Sequence, residues 1–153
     1  MLRLPQTVYD QLREHGEAAY PDECCGILLG TAAGEVKTVT RAVPASNASP
    51  HPHHHYEIAP IDLIHIERAA TASGESILGF YHSHPDHPAH WSLTDLAEAH
   101  WIGCSYLITS VENGRASASH SFHLAGTREE DKHFQSEKIA LMAAPELANA
   151  ASR

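Results

Sequence analysis

A chain of 153 residues with 42% apolar and 19% charged residues has the size and composition of one globular domain, long enough to bury a core without disulfide or structural-metal staples. Ten Lys and Arg against nineteen Asp and Glu leave a net charge of -9 with histidines neutral, which argues against nucleic acid as the main partner because phosphate recognition needs clustered cations. Three cysteines, Cys24, Cys25 and Cys104, form no disulfide framework and fit a reducing cytoplasm; residues 1–20 are charged throughout, unlike a signal peptide, and no apolar run approaches membrane-spanning length.

In chain order, residues 5–19 read as a helix, with Pro5 at a first-turn position and Leu4, Val8, Leu12 and Ala19 able to share a face. Pro21 stops it. The apolar run 25–30, bounded by Gly26 and Gly30, predicts a buried strand. Ala33-Gly34 marks a turn into a second strand over 35–43, making a hairpin. Residues 44–55 hold Pro, Ser, Asn and His without apolar period and form a loop. A brief strand is expected at 56–58, then a helix opened by Pro60 and running to about Thr71. Residues 76–83 are apolar on both faces, as in the centre of a sheet. Leu78 and Phe80 are expected on one face with His82 and His84. A loop over 85–91 leads to a helix over 92–101 ended by Gly103. Residues 104–110 form another apolar strand, and Asn113-Gly114 turns it into a return strand over 115–124. The spacing then predicts a polar-faced helix over 127–143 and a frayed tail over 145–153. The chain is expected to be a single domain over 1–144. The class is mixed α/β, of the α+β kind: a three-layer sandwich with helices on a mixed sheet.

The chain carries fourteen histidines, five of them between His82 and His100 and four in the run His51-Pro52-His53-His54-His55, a content that points to metal or proton chemistry. His82 and His84 are two apart on a strand, so both imidazoles project to one face. Imidazole nitrogen suits zinc at roughly 2.0–2.1 Å. Ten residues separate His84 from Asp95, enough for a loop and helix turn to fold a carboxylate back onto the pair. Two His and one Asp leave a fourth position for water, the layout of a catalytic zinc site with one Zn2+ per chain. Such a site polarises a carbonyl and needs a base. Ser92, close to Asp95, is placed to donate to a tetrahedral oxyanion. Glu23 is a candidate base, but spacing alone does not select it over Glu57, Glu75 or Glu98.

His82-Ser83-His84-Pro85 followed by Ser92-Leu93-Thr94-Asp95 resembles the motif of the JAMM (MPN-plus) metallopeptidases, with the same seven intervening residues 85–91. The segment from Tyr20 to Gly30, with Glu23 before a glycine-bounded apolar run, is similar to that of the small prokaryotic members. Gly79-Phe80-Tyr81 and Asn47 also fit. The resemblance spans about 21–122. It implies zinc on His82, His84 and Asp95, Glu23 as general base, Ser92 as oxyanion donor, and a cytidine-deaminase-like sandwich. It further implies hydrolysis of the bond after a C-terminal Gly-Gly of a ubiquitin-like sulfur-carrier or modifier protein, releasing a lysine-linked protein, a C-terminal extension or a cysteine. Oligomeric state is not implied.

Blander readings stand beside these. Ser92-x-x-Asp95 has the form of a helix capping box, a role compatible with facing the site. The cysteines read as small buried hydrophobes. The loop 51–55 reads as solvated chain near the substrate groove, His87, His90 and His100 as surface or supporting groups, and Trp91 as packing or groove lining. A nucleoside deaminase would need a Cys-x-x-Cys pair that is not in the sequence. A non-catalytic MPN-type scaffold would have lost ligands, and a metal buffer would bind several ions per chain.

Overall fold

The structure is a computed structural model and describes residues 1–143. Strands form where short apolar runs lie between turn residues: β1 Leu2–Pro5, β2 Cys25–Ala33, β3 Val36–Ala45, β4 Ser76–Pro85, β5 Ser105–Glu112, β6 Arg115–Ala125, β7 His133–Glu137 and β8 Ile139–Met142. The helices are α1 Gln6–Ala19, α2 Pro60–Ala72 and α3 Leu93–Glu98. All strands join one mixed sheet in the order β7-β6-β5-β4-β2-β3-β1-β8. The expected α+β sandwich is present: α1 covers one face of the sheet, and α2 and α3 lie on the other.

Two apolar layers hold it. On the α1 face, Val8 and Leu12 pack with Leu28, Tyr81 and Leu107. On the other face, Ala70 of α2 packs with Ile27, Phe80 and Tyr106, and Leu96 of α3 leans on the same layer. β4, expected to be central, sits antiparallel to β2 and parallel to β5. The β5–β6 hairpin turns through Asn113 and Gly114, both with positive φ (50° and 84°), the geometry the Asn-Gly pair favours.

Several elements differ from expectation. The first helix begins at Gln6, because Leu2–Pro5 is instead a strand parallel to β3 and β8. Residues 56–58 pair with no strand. The helix after the metal-motif loop is shorter than 92–101; Ser92 is its cap and the chain leaves it at Ala99, which is buried. Leu78 does not share a face with Phe80. The ladder between β2 and β4 shifts between Leu28 and Leu29, opposite Gly79 and Ile77, so Leu78 is the extra residue and packs on the α1 side. A bulge of this kind re-aims every side chain beyond it.

The largest correction is the helix over 127–143. Its place is taken by two short strands separated by Lys138 alone, β7 on one sheet edge and β8 on the other. The sheet therefore curls until its edges meet, and residues 133–142 are the seam. Phe134 pairs opposite Leu124 while Ile139 pairs opposite Leu2. Helix-forming Gln, Glu, Lys, Ala and Met in this stretch are overridden by the ladder bonds that two open edges offer. The tail from Pro145 lies outside the described residues.

Candidate active site

The site lies at the C-terminal end of β4, where the strand passes from apolar packing to polar groups. Past the bulge, Phe80, His82 and His84 point to the α2–α3 face. His82 and His84 are both buried, and their Nε2 atoms are 3.1 Å apart. Asp95, in the first turn of α3, brings Oδ1 to 3.3 Å from His82 Nε2 and Oδ2 to 3.2 Å from His84 Nε2. Glu23, just before β2 and also buried, joins the two histidines: one of its carboxylate oxygens and one nitrogen of each imidazole lie within 4.8 Å of one another. His82, His84, Asp95 and Glu23 are thus brought together from β4, α3 and the connection between α1 and β2.

Local bonds aim each group. His84 Nδ1 is 2.9 Å from the Pro88 carbonyl, which orients the ring so that Nε2 faces the cluster. Ser92 N donates to Asp95 Oδ2 (2.9 Å) and Asp95 N donates to Ser92 Oγ (3.0 Å), a complete capping box. Ser92 therefore caps α3 while facing the cleft, and its hydroxyl proton stays available. The Tyr56 ring stacks on His82 at 4.3 Å between centroids, 23° from parallel. That contact comes from a loop residue outside any periodic pattern, and sequence reasoning had no signal for it; the Pro88 carbonyl was equally hidden.

The charges are tuned by burial and by each other. Burial pushes the Glu23 carboxyl up to about 8, against the pull of His84. Burial also works against the Asp95 carboxylate, but hydrogen bonds from His82 and His84 outweigh it and hold the group well below the usual carboxylate range. Burial lowers His82; in His84 the same cost is overcome by Asp95 and the Pro88 carbonyl, and its pKa rises.

The donor set fits a metal. Two imidazole nitrogens and carboxylate oxygens converge within hydrogen-bonding range of one another, and Glu23 Oε1 and His82 Nδ1 are buried without a partner. Unpaired buried polar atoms are costly, and their presence here marks a site built for something further. Neither Cys24 nor Cys25 belongs to the group; both thiols are buried, which raises them to about 11 and about 12. A cleft of about 370 Å³ opens onto the cluster, lined by Glu23, His84, Ser92 and Asp95 with Trp91 and three further histidines, His54, His87 and His90. Trp91 thus lines the groove, whereas His100 faces solvent and pairs with Glu129 at 2.7 Å.

Comparison with known proteins places the chain in a family. Residues 5–124 match the family model described as prokaryotic homologs of the JAB domain. The chain belongs to that family. It is 38% identical to a desampylase of Haloferax volcanii over 73% of this chain and 78% of the relative. It is 32% identical to a "Probable TtuB-protein conjugate cleaving protease" of Thermus thermophilus over 76% of this chain and 74% of that protein. A solution structure of a protein from Desulfitobacterium hafniense superposes with a TM-score of 0.81 at 29% identity, covering 94% of each chain. No helix among the described residues is long and apolar enough to cross a membrane.

Proposed function

We propose that this chain is a zinc-dependent isopeptidase that hydrolyses the bond after the C-terminal Gly-Gly of a ubiquitin-like modifier or sulfur-carrier protein. The observation that carries the reading is the convergence of His82, His84, Asp95 and Glu23 at the end of β4, in a member of a family whose relatives bear the names desampylase and conjugate-cleaving protease. His82, His84 and Asp95 are assigned to the metal, Glu23 and Ser92 to catalysis.

Zinc held by His82, His84 and Asp95 would supply Lewis acidity for the scissile carbonyl and would lower the pKa of a bound water to about 7. The chain's own groups do the rest. Glu23 accepts a proton from the attacking water and delivers it to the leaving amine, so the proton balance closes within one group. Ser92 Oγ accepts from Asp95 N and directs its free proton to the developing oxyanion. The Pro88 carbonyl and the Tyr56 ring keep the two imidazoles in one orientation. Trp91 walls the cleft and limits water beside the reacting bond.

The test is an intact-mass assay. Metal-loaded protein is incubated, with and without chelator, with ubiquitin-fold proteins joined through Gly-Gly to a lysine or carrying a C-terminal extension. The expected result is chelator-sensitive release at the Gly-Gly bond. Failure to cleave any of them would reject the substrate class.

A further inference from the structure

Glu23 stands in a short connection between α1 and β2, where no helix or ladder fixes its backbone. Both of its main-chain polar groups are instead held by the loop after β3. Its N–H donates to the Pro52 carbonyl at 2.7 Å. Its carbonyl accepts from Asn47 Nδ2 at 3.1 Å. The same Nδ2 donates to the His55 carbonyl at 2.9 Å. Asn47 Oδ1 accepts from the amides of Ser49 (3.0 Å) and Glu57 (3.1 Å). Two donors meet two carbonyls and the oxygen meets two amides, so every bond suits the amide's orientation and its bonding capacity is full.

The carboxylate end of Glu23 is in the opposite state, since Oε1 is buried with no partner. Its direction is therefore inherited from its backbone, which the loop holds at the Glu23 N–H and carbonyl while the following Cys24 is tied to Ser83 of β4. We infer that Asn47 is a positioning residue that holds Glu23 over the histidine pair by clasping its carbonyl. This rests on the reading of Glu23 as the general base. Misplacing a reacting group by about 1 Å costs about a hundredfold in rate.

Asn47→Asp is the sharp variant. It keeps the acceptor bonds to the Ser49 and Glu57 amides, so the loop retains its turn, but it turns an oxygen toward the Glu23 and His55 carbonyls. With the full metal-loaded chain and a ubiquitin-fold modifier linked through Gly-Gly to lysine, kcat should fall about a hundredfold while KM and metal content hold. Combining it with Glu23→Gln should slow turnover no further than Glu23→Gln alone, because Asn47 acts through that carboxylate. Ser49→Ala, which removes the loop's contacts with His51 N and His55, should stay near wild type. In the metal-free chain, hydrogen exchange at the Glu23 amide should quicken about tenfold in Asn47→Asp. Undiminished kcat in Asn47→Asp overturns the inference, as do additive losses in the double variant, equal loss in Ser49→Ala or unchanged exchange. If Glu23→Gln itself turns over normally, the base assignment is what has failed.

Discussion

The molecule buries two polar clusters, and they are finished to different degrees. At the seam end, Lys37 Nζ donates to Ser105 Oγ (2.7 Å) and to His123 Nδ1 (3.0 Å), and lies 3.5 Å from Glu137, whose other oxygen accepts from Ser121 (2.8 Å). Among the described residues, no buried side-chain atom of that group lacks a partner. At the cleft end, Glu23 Oε1 and His82 Nδ1 are unpaired, and three ligand-type groups crowd together at 3.1–3.3 Å. A closed network gives the fold specificity, whereas an open one keeps bonding capacity for a ligand. The Lys37 group ties β3 to β5, β6 and β7 across the curl of the sheet. The His82 group joins β4 to α3 through Asp95 and stands beside Glu23 of the α1–β2 connection.

The contrast can be tested by breaking each cluster in turn. Asp95→Ala or His84→Ala should have the largest effect on function: bound zinc falls from one per chain to almost none by elemental analysis, and cleavage disappears. Glu23→Gln should retain the zinc and lower kcat by about 10²–10⁴-fold, the usual worth of a general base, measured by single-turnover kinetics. Lys37→Met should do the reverse. It removes the buried ammonium beside Glu137, so denaturant unfolding should show a loss of about 3 kcal/mol while kcat per folded molecule is unchanged. The smallest effect is in pH. Burial opposes the Glu137 carboxylate, but Ser105, Lys37 and Ser121 together hold its pKa below the ordinary value of 4.5. The unfolded chain then binds the proton more readily, so this contribution is whole above the ordinary carboxyl range and fades as pH falls through the lowered folded value. A melting series from pH 7 down to pH 3 should be flatter for Glu137→Gln than for wild type.

The site was legible in the sequence where chemistry and spacing coincide. His82 and His84 two apart at a strand end, and Asp95 at a helix start, announce a shared face and a returning carboxylate. Glu23 was not legible that way. It is the pairing of β2 with β4, with Cys25 opposite His82 and Cys24 bonded to Ser83, that carries it to the cluster, and resemblance stood in for that register. The strands on either side of the Asn113-Gly114 turn follow from alternation and turn chemistry. The bulge at Leu78 did not, because one unpaired residue leaves the apolar pattern of a buried strand unchanged. The stretch 127–143 misleads for a related reason: its composition favours a helix, and one of the two edges that capture it is set by residues more than a hundred positions away, as in the pairing of Leu2 with Ile139.

That pairing also orders events during synthesis. His82, His84, Asp95 and Glu23 all precede residue 96, and β2, β4 and β5 can align once residue 112 has left the ribosome. The seam cannot form until residue 142 follows, when β8 reaches back to β1. Contacts of such sequence separation form late. A nascent chain thus has its histidine-bearing strand β4 assembled while the sheet is still an open ribbon. A translation stall in the stretch just before β7 would leave both edges, the surfaces most prone to aggregation, exposed together.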